Sequence, residues 1–193
     1  MNKSKKLYFF LNPFAGKGTA YNIFEKLKKV LDKHNIEVEI YTSQSEGDIE
    51  RFIINEDLSE FDGICVIGGD GTIHEAIEGL MQSGKSQYLS LGIIPAGSGN
   101  AFAEDLGLRD PIDALENIVV GNISSIDVMK IKTRNNVNFA VNIIGWGMAS
   151  NVNILAEKLR WLGNVRYSIA SILSILKIKL QTVNIIIENQ VFD

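Results

Sequence analysis

Three apolar runs in this chain each close on a glycine-rich cluster. Leu7–Leu11 leads into Asn12–Thr19, Ile64–Ile67 into Gly68–Thr72, and Leu89–Ile94 into Pro95–Asn100. A short, continuously apolar run bounded by turn residues reads as a strand buried on both faces. Between the runs, apolar residues recur at helical spacing: Ile23, Phe24, Leu27, Val30 and Leu31 after the first, Ile73, Ala76, Ile77 and Leu80 after the second. Ile36, Val38 and Ile40 alternate with Glu37 and Glu39, the pattern of a half-exposed strand, and Asp48–Asn55 has the pattern of a helix. Strands alternating with helices imply a doubly wound α/β domain, a parallel sheet with helices on both faces. Ligands of such sheets bind beyond the carboxyl ends of the strands, which is where all three clusters fall.

The rest of the chain organises differently. After Gly121, Ile126, Val128 and Ile131 predict a strand, Arg134-Asn135-Asn136 a turn, and Val137–Ile144 a returning strand. A helix carrying Val152, Leu155, Ala156 and Leu159 follows, then an apolar helix over Ile169–Leu180, then a strand over Val183–Ile187 with a turn at Asn189-Gln190. The expected division is a nucleotide-binding domain over 1–121 and an incomplete β-rich domain with helical insertions over 122–193. The 193 residues suit one complete domain and part of a second.

Composition removes several function classes. Lys+Arg 19 against Asp+Glu 23 leaves a net charge of −4, which argues against a nucleic-acid binder. One cysteine, Cys65, cannot form an intramolecular disulfide, and a reducing cytoplasm is the expected home. Leu7–Leu11 after Lys3, Lys5 and Lys6 imitates a signal peptide but is too short for one. Ile169–Leu180 is interrupted by Ser171, Ser174, Lys177 and Lys179 and falls short of a membrane span.

Glycines beyond strand ends let backbone N–H groups approach phosphate oxygens, and a following helix N-terminus adds a favourable dipole. The three clusters are therefore expected to converge on one polyanion. A Walker-type loop is excluded because Lys17 is followed by Gly18 instead of Ser or Thr. A dinucleotide fingerprint lacks its third small residue, Tyr21 standing there. His34 and His74 have no metal-ligand spacing to Cys65 or to each other, and Gly97-Ser98-Gly99 is too tight for a nucleophile elbow. Asp70, with glycine on both sides, is the sharpest residue. A carboxylate at a phosphate site either holds a metal or takes a proton, although an Asp before a helix also serves as a cap. Glu75, one turn on, is placed to support the same site.

At these residues the chain resembles the diacylglycerol kinase and sphingosine kinase family of lipid kinases, closest to the sphingosine and ceramide kinase branch. Asn12-Pro13-Phe14-Ala15-Gly16-Lys17-Gly18 resembles the family's opening nucleotide loop. Gly68-Gly69-Asp70-Gly71-Thr72 with His74-Glu75 resembles its signature, and Pro95-Ala96-Gly97-Ser98-Gly99-Asn100-Ala101 its third loop. Gly145-Trp146-Gly147, Glu157–Gly163 and Arg166-Tyr167 extend the likeness. The resemblance implies an NAD-kinase-like α/β fold and phosphorylation of a lipid hydroxyl with ATP and Mg²⁺. It implies nucleotide contacts from Asn12, Pro13, Phe14, Gly16, Lys17, Gly18 and Thr42. Further contacts are implied for Gly68, Gly69, Gly71, Thr72, Glu75, Gly97, Ser98, Gly99, Arg160 and Arg166. Asp70 would serve as base and as Mg²⁺ ligand.

The expected partner is a lipid (diacylglycerol, ceramide or a sphingoid base) met by peripheral association at a membrane surface, with apolar residues of Ala149–Leu180 in the lipid-facing wall. A homodimer is also open. Two departures shape these expectations. Asn151 stands where sphingosine kinases carry the aspartate associated with the sphingoid amine, and Asn153 replaces a second nearby acid. The family also returns a later acidic segment to the site, which these 193 residues do not contain. The alternatives are a catalytically inactive nucleotide- or lipid-binding pseudokinase and an NAD kinase.

Overall fold

A computed structural model describes residues 5–144, 148–176, 185–187 and 190–192. Four strands, β1 (Lys6–Leu11), β2 (Glu37–Thr42), β3 (Gly63–Gly68) and β4 (Leu91–Pro95), form a parallel sheet in the order β2-β1-β3-β4. Alternation along the central strands sorts their side chains to two faces. Phe10, Ile64, Val66 and Ile93 pack with Ile49 and Ile53 of α2 (Asp48–Asn55) and with Ile73, Ala76, Ile77 and Leu80 of α3 (Asp70–Ser83). Leu7, Phe9, Leu11, Cys65, Ile67 and Ile94 pack with Phe24, Leu27 and Leu31 of α1 (Ala20–Lys33) and Leu115 of α5 (Pro111–Val120). The doubly wound sheet expected from the sequence is thus present, with apolar residues of both central strands buried on both faces.

Helix ends are held by long cations. Lys5 Nζ donates to Ile118 O at the end of α5 (2.8 Å), and Lys85 Nζ to Ile54 O at the end of α2 (3.0 Å). Both place positive charge at the C-terminal end of a helix, where it offsets the negative end of the helix dipole. Between β4 and α5 the chain forms one short helix, α4 (Ala101–Asp105).

The chain divides into two compact units, Met1–Asn142 and Ile143–Asp193. The hairpin of β5 (Met129–Lys132) and β6 (Val137–Ala140) lies in the first, so the sheet-bearing unit continues past Gly121, where α5 ends on a left-handed glycine. Glu78 of α3, 2% exposed, accepts the Phe139 N–H at 2.7 Å and ties the hairpin to α3. Thr133 and Asn136 close the turn expected at 134–136. β6 stops at Ala140, opposite Met129, short of the expected Val137–Ile144, because Ile126 and Val128, expected in the first strand, lie before β5 and offer it no ladder.

In the second unit α6 (Met148–Lys158) packs on α7 (Arg166–Leu176) across a 3-10 segment over Arg160–Val165. β7 (Ile185–Ile187) and β8 (Gln190–Phe192) pair antiparallel. Residues 177–180 of the expected helix and 183–184 of the expected strand lie outside the described residues. Among the described residues no helix is long and apolar enough to cross a membrane.

Candidate functional site

From β1 the chain crosses to β2 on one side, and from β3 to β4 on the other, so the crevice between the ends of β1 and β3 is the sheet's switch point. Asn12 stands there. Its N–H donates to Ile67 O (3.2 Å), its Nδ2 to Thr72 Oγ1 (3.0 Å), and its Oδ1 accepts the Phe14 N–H (2.9 Å). One amide side chain therefore shapes the first loop and fastens it to α3. Gly16 is left-handed at φ +54°, and a Cβ there would collide with Ala96 O, so the first and third loops meet backbone to backbone. The second and third loops meet in the same way: a Cβ on Gly97 would lie 2.5 Å from Gly69 Cα. Only glycine permits this approach.

The third loop is braced twice. Asn100 Oδ1 accepts the Gly97 N–H (2.9 Å), and its Nδ2 donates to Gly97 O (3.1 Å). Asp70 then holds the next two residues, Oδ2 accepting the Ala101 N–H (3.1 Å) and Oδ1 the Phe102 N–H (3.0 Å). Asp70 is the first residue of α3, yet the helix it caps is α4. Between these anchors Ser98 and Gly99 are exposed, and no described residue accepts their N–H groups.

The structure brings Asn12, Pro13, Gly16, Gly68, Gly69, Asp70, Gly97, Ser98 and Gly99 to one sheet edge. Phe14 is there too, 75% exposed and free to cover a ligand. Thr72 is 3% exposed, packed on Gly68 with its hydroxyl taken by Asn12, so its side chain supports the loops from beneath. Glu75 Oε2 accepts the Ile49 N–H (3.2 Å) in the first turn of α2, a role the sequence reading did not assign to it. Thr42 ends β2 at the same edge, one residue before buried Ser43, whose N–H donates to Leu11 O (2.9 Å).

Beyond Thr42, Asp48 accepts the Gln44 N–H (2.9 Å) and the Tyr41 hydroxyl (2.8 Å) and pairs with Arg51 (3.3 Å). The Gln44 and Tyr41 bonds hold the Asp48 carboxyl below its ordinary 3.8, while the same contact raises the Tyr41 phenol above its ordinary 10.0. Asp48 and Asn100 stand at the start of the expected helix and the end of the expected third loop, but the sequence reading gave neither side chain a role in shaping the site. Each had a signal: an Asp just after the Ser43–Gly47 turn, and an Asn closing a Gly-Ser-Gly turn.

Arg166, in the second unit, stacks on the Tyr167 ring (4.8 Å) and lies 3.9 Å from Glu157, and Asn151 is exposed on α6. The side chains of Lys17 and Arg160, and the whole of Gly145-Trp146-Gly147, lie outside the described residues. Among the described residues no three acidic, His or Cys side chains cluster as a metal site.

Comparison with known proteins fits this geometry. Residues 6–131 match the diacylglycerol kinase catalytic domain. Sphingosine kinase 1 of Arabidopsis thaliana is 34% identical over 178 residues, covering 88% of this chain and 37% of that protein. Ceramide kinase of Mus musculus is 28% identical over 191 residues, covering 89% and 36%. The crystal structure of a diacylglycerol kinase from Bacillus anthracis str. Sterne superposes with a TM-score of 0.69 at 26% identity, covering all of this chain and 61% of that one. The chain thus spans little more than a third of the length of these two curated relatives.

Proposed function

This chain belongs to the diacylglycerol kinase catalytic-domain family, and we propose that it supplies the nucleotide-binding part of an ATP-dependent lipid kinase. The observation that carries this reading is the meeting of three glycine-rich loops at the switch point, with the Ser98 and Gly99 N–H groups exposed and uncommitted. Such amides suit phosphate oxygens, and the start of α3 beside them adds its dipole. Phe14 is suited to cover the nucleotide.

Asp70 is the acid proposed for the reacting end. Each of its oxygens accepts one N–H, which leaves further acceptor sites on a carboxylate that has about four. In the proposed step the lipid hydroxyl loses its proton towards Asp70 as its oxygen bonds to the γ-phosphorus, and the bond from that phosphorus to the leaving ADP oxygen breaks. A magnesium ion, when bound, supplies charge neutralisation to the phosphates. A single carboxylate suits an ion held mainly by phosphates and water, and Asp70 is the residue to hold it.

Two features of the second unit support a lipid acceptor. α7 exposes Ile172, Ile175 and Leu176, apolar surface fitted to an acyl chain presented at a membrane surface. By the family resemblance Asn151 stands at the sphingoid-amine position, and a neutral amide forms no ion pair with an ammonium, which favours ceramide or diacylglycerol over a free sphingoid base.

The test is transfer of labelled γ-phosphate from ATP to each of these lipids in mixed micelles. A labelled lipid, with the rate reduced about 10²-fold or more in Asp70→Asn, is expected for loss of a general base. An Asp70→Asn variant as active as wild type contradicts the role of Asp70, and labelled NADP in place of labelled lipid, when NAD is supplied beside the lipids, contradicts the lipid assignment. One observation favours a second reading, a catalytically inactive nucleotide-binding pseudokinase: both Asp70 oxygens already have a structural role in capping α4. ATP binding without transfer to any lipid is its expected outcome.

A further inference from the structure

We propose, resting on the nucleotide-binding reading, that Asn100 is a positioning residue: it sets the Ser98–Gly99 backbone for the nucleotide without touching it. Its side chain satisfies both polar groups of Gly97, accepting the N–H at 2.9 Å and donating to the carbonyl at 3.1 Å. The next two amides, of Ala101 and Phe102, are held by Asp70 at 3.1 and 3.0 Å. Gly97 itself is wedged against Gly69. Both ends of the loop are therefore fixed to α3, directly or through the second loop, and only the Ser98–Gly99 arc is left without protein partners among the described residues.

A loop held in this way meets its ligand already ordered, so binding loses little to ordering entropy. Without the Asn100 amide, the half-buried Gly97 peptide has to find water, and the arc spreads over conformations that do not bind. Apparent affinity falls by the fraction of chains left competent.

The experiment uses the full chain and three observables: calorimetric affinity for ADP with magnesium, amide hydrogen exchange, and thermal melting. Asn100→Ala is expected to weaken ADP binding roughly ten- to thirtyfold, the worth of two hydrogen bonds to backbone. It is also expected to speed exchange at Gly97 while Phe102, still held by Asp70, stays protected and melting stays cooperative. Asn100→Asp keeps the acceptor for the Gly97 N–H and is expected to restore part of that protection. Exchange is the readout for this variant because its added charge opposes phosphate. Asn22→Ala, the same kind of truncation on the exposed face of α1, is the control and is expected to match wild type.

Wild-type binding with unchanged affinity in Asn100→Ala overturns the inference alone. Weakened binding with unchanged exchange at Gly97 also overturns it, by making Asn100 a direct contact. A wild-type chain that binds no nucleotide removes this inference together with the proposed function.

Discussion

Asp70 carries two demands on one carboxylate: it closes the turn into α4 and, in the proposed site, stands at the phosphate end of the crevice. Its glycine neighbours mark it in the sequence, but its hydrogen-bond partners lie 31 and 32 positions away and no local pattern announces them. Asp70→Ala leaves two N–H groups without their charged acceptor and is expected to cost about 2–3 kcal/mol of stability, whereas Asp70→Asn keeps one acceptor and loses less. Equal denaturation midpoints for the two variants and wild type would show that the cap contributes nothing.

Cys65 is buried in β3, and desolvation pushes its thiol up to about 12. It is expected to resist a thiol-reactive disulfide reagent at pH 8 in the native chain and to react at once in denaturant. Fast native labelling contradicts its burial. For Asp48, the folded carboxyl is held low, so its contribution to stability is present above its ordinary 3.8 and is lost as pH falls through the depressed value. Melting temperatures of wild type and Asp48→Asn are therefore expected to differ at pH 6 and to converge as the pH falls through that depressed value; a constant gap contradicts the assignment.

Among elements, those with a strong period were legible and those with a cap signal alone were not. α2 occupies the expected Asp48–Asn55, where Ile49 and Ile53 are buried one helical turn apart, and β1 the expected apolar run, whose last three residues are all buried. α4 and α5 were not read from the sequence. α5 begins with Asp110, whose Oδ1 accepts the Ile112 and Asp113 N–H groups (2.7 and 3.2 Å), followed by Pro111 in the first turn, and ends at Gly121. That N-cap, Pro and C-terminal Gly arrangement is a helix signal in its own right. Its buried residues, Ala114 and Leu115, are adjacent in sequence and so set no helical period. Asp110→Ala is expected to cost about 1 kcal/mol, read as a lower urea midpoint at unchanged slope. An unchanged midpoint contradicts the capping role.

At the scale of the whole molecule, the sequence placed three loops after three strands but could not say how those strands order. The crossing of β1 between β2 and β3 brings Asn12 beside Thr72 and Gly16 against Ala96, contacts that depend on sheet order and not on any single motif. The sequence likewise suggested a change of architecture after Gly121, but not that Glu78 would draw the β5–β6 hairpin into the sheet-bearing unit. A buried carboxylate and a backbone N–H found each other across 61 positions, a pairing visible only once the fold exists.

The central claim is that this sheet edge binds a nucleotide through closely packed loop backbones. Calorimetric titration of the full chain with ATP and magnesium tests it most directly, beside Gly97→Val, in which a Cβ would lie 2.5 Å from Gly69 Cα and force the loops apart. Saturable one-to-one binding by wild type, displaced by ADP and lost in a Gly97→Val variant that still melts cooperatively, is the predicted result. No binding by wild type, or equal binding by the variant, would contradict it.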